Sequence, residues 1–201
     1  MKIVHLIAGI ALSATPSLAE ETAQLDAHEH GVGQLNIAFD ENKIAMELHA
    51  PGADIVGFEY GAKSDADLAA IDGALQTLSD PLGLFSIPEA ASCIVIVAHA
   101  ELESENSDHG EEGHDEHDEK GHDDHDEEGH DDHDEAPSHT EFHAEYLLEC
   151  ANLTEISAIT FPYFEIFPNA LELEVQVISD KGATAFEIER DLAKLDLRGI
   201  F

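Results

Sequence analysis

One stretch, residues 104–138, dictates how the rest of this chain has to fold. It holds three near-copies of an eight-residue unit: GHDEHDEK from Gly113, GHDDHDEE from Gly121 and GHDDHDEA from Gly129. No apolar residue occurs between Gly110 and Glu135, so the stretch has nothing to bury and is expected to be disordered without a ligand. Any core must be built by the segments on either side, meeting across this insert. Its seven histidines are His109, His114, His117, His122, His125, His130 and His133. A plain acidic spacer has no physical use for histidine at a fixed period. Neutral imidazole is the commonest protein ligand for zinc and its neighbours, and the surrounding carboxylates add oxygen ligands and a field that concentrates cations. The insert reads as a metal-capturing loop.

The charge balance narrows the partners. The chain has 201 residues, 45 acids, 8 bases and a formal net charge of -37. Between Glu101 and Glu135 lie 19 acids and one lysine, about half of the imbalance. Nucleic acid is excluded as a partner, because a phosphate backbone needs a basic patch. Residues 1–19 read as a signal peptide: Lys2, an apolar run, then Ser17-Leu18-Ala19 as a small-x-small cleavage site. That run is short for a bilayer span and no later segment approaches one, so stable membrane insertion is not expected. The mature domain, residues 20–201 interrupted by the insert, is expected in a bacterial periplasm.

Hydrophobic periodicity outlines the domain. Residues 32–39 alternate, with Val32, Leu35, Ile37 and Phe39 as candidate inward positions after an irregularity at Gly33. A turn follows at Asp40-Glu41-Asn42. Ile44, Met46 and Leu48 then share one side and Ala45, Glu47 and His49 the other, completing a β-hairpin. Residues 64–79 predict an amphipathic helix, with Ser64 and Asp67 as a near capping box and Leu68, Ile71, Leu75 and Leu78 as its core stripe. Strands are expected from Cys93 to Glu103 and from Phe142 to Cys150, paired antiparallel with the insert as their overgrown hairpin loop. Cys93 and Cys150 then meet at the far end, where opposed residues lie at disulfide distance, and an oxidising compartment favours the bond. The aromatics between Phe161 and Pro168 predict a short helical turn plugging the core. Leu171, Leu173, Val175 and Val177 predict a further inward-facing strand, followed by a return strand and a short last one. The sum is an α+β domain, predominantly antiparallel β and sandwich-like, with about seven strands and one helix.

Six histidines lie in the predicted ordered part. His28 and His30 alternate as on a strand. His49 ends the second hairpin strand, His99 lies on the strand entering the insert, and His139 and His143 lie where the chain leaves it. Zinc needs three or four N, O or S ligands around one point. The hairpin pairing suggests a folded site of His28, His30, His99 and His143, with His49 or His139 nearby.

Four features resemble the ZrgA-type family of periplasmic zinc-uptake proteins: His28-Glu29-His30-Gly31, the run from Ala50 to Glu59 ending Val56-Gly57-Phe58-Glu59, the His/Asp/Glu insert, and Phe164-Glu165-Ile166-Phe167-Pro168. The resemblance implies zinc binding in support of uptake, in company with outer-membrane metal receptors or inner-membrane zinc transporter components. The family's histidine after Gly-Phe-Glu is Tyr60 here, so no ligand role is carried onto that position.

The expected function is thus a periplasmic protein that captures, buffers and delivers Zn2+. A nickel, cobalt or copper metallochaperone is the alternative, with copper(I) disfavoured by the scarcity of methionine and the paired cysteines. A zinc hydrolase is the third reading, but no His-Glu-x-x-His or Gly-x-Ser-x-Gly motif is present and no enzyme is expected. Insert and folded histidines should bind in two tiers, because a loop must surrender chain entropy for each ion whereas a folded site is already ordered. Deleting residues 104–138 should lower zinc stoichiometry in a calorimetric titration and leave the tightest event in place.

Overall fold

The computed structural model describes residues 29–104 and 139–200. The expected leader, His28 and the insert with its seven histidines lie outside these residues. β1 (Val32–Asp40) and β2 (Lys43–Pro51) form the expected hairpin around Glu41 and Asn42. α1 (Gly52–Ile55) is a single turn. α2 (Asp65–Leu78) starts at a full capping box, in which the Ser64 hydroxyl accepts from the Asp67 N–H and the Asp67 carboxylate accepts from the Ser64 N–H. α3 (Pro81–Leu84) leads to β3 (Cys93–Ser104), which pairs antiparallel with β4 (Thr140–Cys150). β5 (Ala158–Thr160) and the aromatic turn α4 (Tyr163–Ile166) follow. β6 (Glu172–Ser179), β7 (Gly182–Glu189) and β8 (Lys194–Asp196) complete the order.

Six strands form one sheet in the order β3-β4-β2-β1-β6-β7, and β5 pairs with β8 in a second, small sheet. The α+β, mostly antiparallel class holds. Among the described residues the one parallel contact is β1 against β6, because the chain crosses the aromatic segment and re-enters beside β1 instead of turning back on itself. The core faces of the central strands bury Leu35, Ile37 and Phe39; Ile44, Met46 and Leu48; Phe142, Tyr146 and Leu148; and Leu173, Val175 and Val177. Ile71 and Leu78 of α2, Phe85, Phe161, Tyr163, Phe164 and Phe167, and Leu195 of the second sheet belong to the same core. The other face of the six-stranded sheet holds the polar side chains of each alternation, and His49 and His143 are among them.

Three expected core positions differ. Alternation runs unbroken through Gly33, which takes the inward place beside Leu173 and the His49 carbonyl, so Val32 falls on the other face. Leu68 is 52% exposed because α2 buries Ile71, Ala74 and Leu78, a stripe rotated away from its first turn. Leu171 is 57% exposed because it precedes β6 and lies under Gly31, outside the alternation.

A bulge in β3 decides which face its second half shows. The register is Cys93 opposite Cys150 and Val95 opposite Leu148, then Val97 opposite Leu147, with Ile96 as the extra residue. One added residue reverses the alternation. Beyond it Ala98, Ala100 and Leu102 take the core face, and His99, Glu101 and Glu103 face outward with His143. Without it the acids would point into the core.

The Cys93–Cys150 disulfide is formed at a sequence separation of 57. It stands at the end of the hairpin opposite the insert and keeps the two strands in register whatever the insert does. Replacing both cysteines by alanine should lower unfolding stability by about 4 kcal/mol in the loop-entropy account. Urea unfolding of the double variant against the oxidised protein measures it, and dithiothreitol treatment of the natural chain should reproduce most of the loss.

Candidate metal centre

The N-terminal edge of β1, the end of β2 and the start of β4 come together at one rim of the sheet. Pro51 stops β2 opposite Glu141, and the chain turns at Gly52 into α1. A side chain at Gly52 would lie 2.4 Å from the Thr140 hydroxyl and 2.7 Å from the Phe58 carbonyl, so only glycine lets the turn close against β4. Gly31, at φ 91°, donates its N–H to Asp54 Oδ1 at 2.8 Å. Asp54 is 2% exposed, and burial raises its carboxyl above the ordinary range against the opposing pull of the Gly31 bond and His30.

This clamp holds His30 over the loop that follows α1. His30 Nε2 lies 2.9 Å from Glu59 Oε2, and His139 Nδ1 approaches the same oxygen at 3.1 Å. The second oxygen, Glu59 Oε1, is buried and has no hydrogen-bond partner among the described residues. Burial alone would raise the Glu59 carboxyl, but the His139 and His30 bonds outweigh it and hold the group below its usual range. An ionised carboxylate with one idle oxygen, flanked by two exposed imidazoles, is a donor set suited to a borderline divalent cation. Tyr60 stacks on Phe58 at 4.7 Å.

A second group stands on the outward face of the sheet. His49 and His143 are cross-strand partners, and their rings stack with centroids 4.3 Å apart. Glu47 Oε1 lies 3.4 Å from His49 Nε2 and 3.3 Å from His143 Nε2. Glu141 Oε2 is 3.4 Å from His49 Nδ1. Burial would raise Glu47, yet its bonds with Asn36, His49 and His143 keep it below the usual range. The Glu141 hydrogen bond raises His49 above its ordinary value, burial opposes this, and Glu47 adds to the rise.

The structure therefore divides the ordered histidines otherwise than the sequence suggests: His30 goes with His139, and His49 with His143. His99 faces Glu145 across β3 and β4, and its nearest charged partner is Glu101 at 3.7 Å; the bulge places Glu101, not His99, opposite His143. Sequence reasoning missed the carboxylates Glu47, Glu59, Asp54, Glu101, Glu103 and Glu141. The signal for two of them was present, since Glu47-Leu48-His49 and Glu141-Phe142-His143 are Glu-x-His on strands, where residues two apart share a face.

The fold and these clusters define an acidic, histidine-bearing β-rich domain. The ZrgA family of zinc uptake proteins matches residues 27–197, and the chain belongs to that family. Membership gives it a role in zinc uptake, with a metal ion as its partner. No curated protein matches the chain.

With its imidazole raised, His49 in the metal-free protein stabilises the fold below the ordinary value of 6.5, and that contribution is lost as pH rises through the raised value. Histidine-ring NMR should place the His49 titration above 6.5, and Glu141→Gln should bring it down. An unchanged midpoint in that variant would show that Glu141 does not hold the proton there.

Proposed function

We propose that this chain is an exported carrier that captures Zn2+ in the periplasm, buffers it and passes it to the uptake machinery of the cell envelope. Family membership supplies the ion and the process. The observation that carries the site is the convergence of His30 and His139 on Glu59 Oε2, with Glu59 Oε1 left idle. In the metal-free state protons hold this contact together. A zinc ion replacing them gains two imidazole nitrogens and a carboxylate, and a fourth position stays open toward solvent, where His30 and His139 are exposed. An open position suits a carrier that must release its cargo. Glu59, already ionised at neutral pH, needs no deprotonation on loading.

Several features support the export side of this reading. The disulfide suits an oxidising compartment, and no helix among the described residues is long and apolar enough to cross a membrane. The insert is joined in sequence directly to His139, which supports a transfer of the ions it gathers to the cluster. Outer-membrane receptors or inner-membrane zinc transporter components are the recipients we propose. Copper(I) fits less well, since Met46 is buried and both cysteines are bonded. We assign no catalysis.

Competition with a chromophoric chelator tests the site on the full mature chain. His30→Ala, His139→Ala and Glu59→Gln should each weaken the tightest zinc event at least tenfold, leaving the weaker insert events in place. If the triple variant keeps its tightest event, the cluster is not the loading site.

A further inference from the structure

The group on the outward sheet face has a geometry that the loading cluster does not explain. Glu47 and His49 point the same way from β2, and His143 projects beside His49 from β4. One oxygen and two nitrogens, Glu47 Oε1, His49 Nε2 and His143 Nε2, converge, and one ligand atom from each of the three residues lies within 4.8 Å of the others. The remaining Glu47 oxygen is held by Asn36, whose Nδ2 donates to Oε2 at 3.3 Å. That bond turns Oε1 toward the rings.

The other ring nitrogens face carboxylates of their own. His49 Nδ1 faces Glu141 at 3.4 Å, and His143 Nδ1 faces Glu103 at 3.8 Å and Glu101 at 3.9 Å. Each Nε2 also faces an acceptor, Glu47 Oε1, and in the metal-free protein the imidazoles bond that oxygen through a proton. A cation held by the two Nε2 atoms and Oε1 would take the place of those protons, and each neutral imidazole would then keep its one proton on Nδ1, toward Glu141 in His49 and toward Glu101 and Glu103 in His143. Carboxylates behind metal-bound histidines are the usual means of fixing the tautomer and raising ligand basicity. The β3 bulge supplies two of these carboxylates by turning Glu101 and Glu103 outward.

We propose that Glu47, His49 and His143 form a second divalent-cation site, separate from the His30–Glu59–His139 cluster, with Glu141, Glu101 and Glu103 as positioning residues for its two imidazoles. Two imidazole nitrogens and one carboxylate oxygen select zinc, cobalt(II) or nickel(II) over calcium and magnesium, which require more oxygen ligands. His143 is 16% exposed at its side chain and Glu47 44%, so the ion would be lodged against the sheet and open to solvent on the Glu47 side. His139 precedes His143 by four residues, about 13 Å of extended chain, which is too far for one ion to share both groups. The chain then carries two folded sites, one at the sheet rim and one on its outward face.

Ring-nitrogen NMR on the full mature chain, titrated with zinc chloride, tests this directly, because it reports each histidine by itself. His49 and His143 should respond together at Nε2 and keep their Nδ1 protons. The paired response should persist in a His30→Ala, His139→Ala variant, which also separates this site from the loading cluster: that variant loses the proposed loading event whether or not the second site exists. His143→Asn should weaken the His49 response at least tenfold, and Glu141→Gln should weaken it by about 10 to 100-fold while mixing the His49 tautomers. Backbone spectra that overlay on the natural protein exclude misfolding, and His49→Gln provides a second route if His143→Asn does not fold. Three results overturn the proposal: silence of both rings at millimolar zinc, loss of their response with His30 and His139, or a His143 response at Nδ1 alone that requires Glu101 and Glu103 and leaves His49 unchanged.

Discussion

The antiparallel pairing of β2 with β4 is the contact on which both histidine–carboxylate groups depend. It joins two halves of the chain that the insert separates, and its register runs from Lys43 opposite Glu149 to Pro51 opposite Glu141. Within it, Ile44, Met46, Leu48 and Ala50 meet Leu148, Tyr146, Ala144 and Phe142 on the buried face. Hydrophobic burial on that side forbids a slip, because moving one residue would expose the whole apolar set. The same register that satisfies the core puts His49 beside His143 on the other side. It also carries the chain onward to His139, where it meets Glu59. Packing on one face thus fixes which histidines and carboxylates meet on the other.

Charge shapes the remainder. The outward sheet face concentrates Glu47, Glu101, Glu103, Glu141 and Glu145, and like charges on neighbouring strands cost stability in a metal-free protein. Histidines relieve part of this by accepting protons, as the raised His49 shows. A divalent cation would relieve more of it, with two charges at one point. A cation at the second site we propose would offset this repulsion, and the disulfide ties β3 to β4 at the opposite end of their hairpin.

The sequence by itself determined a good deal. Alternation gave the β1–β2 hairpin, the apolar-free insert required β3 and β4 to close across it, and the cysteine positions foretold their bond. Ser64 and Asp67 marked the start of α2, and the prolines around Phe164 marked the aromatic plug. These readings rest on local physics, namely burial period, capping and chain closure. The histidines, too, were legible as candidate ligands by type.

Which histidines share a site was decided only by tertiary structure. Simple register arithmetic brings His99 toward His143, but the extra residue at Ile96 reverses the alternation of β3 and places Glu101 there instead. A single bulge leaves almost no trace in a run of β-branched residues, since Ile94, Val95, Ile96 and Val97 suit either face equally. The meeting of Glu59 with His30 and His139 was unreadable for a different reason. Glu59 reaches them only because Gly52 lets the loop fold against Thr140 and Gly31 anchors on buried Asp54. Residue type sets what a side chain can bind. Its partners depend on contacts between residues far apart in sequence, and those follow from how the core closes.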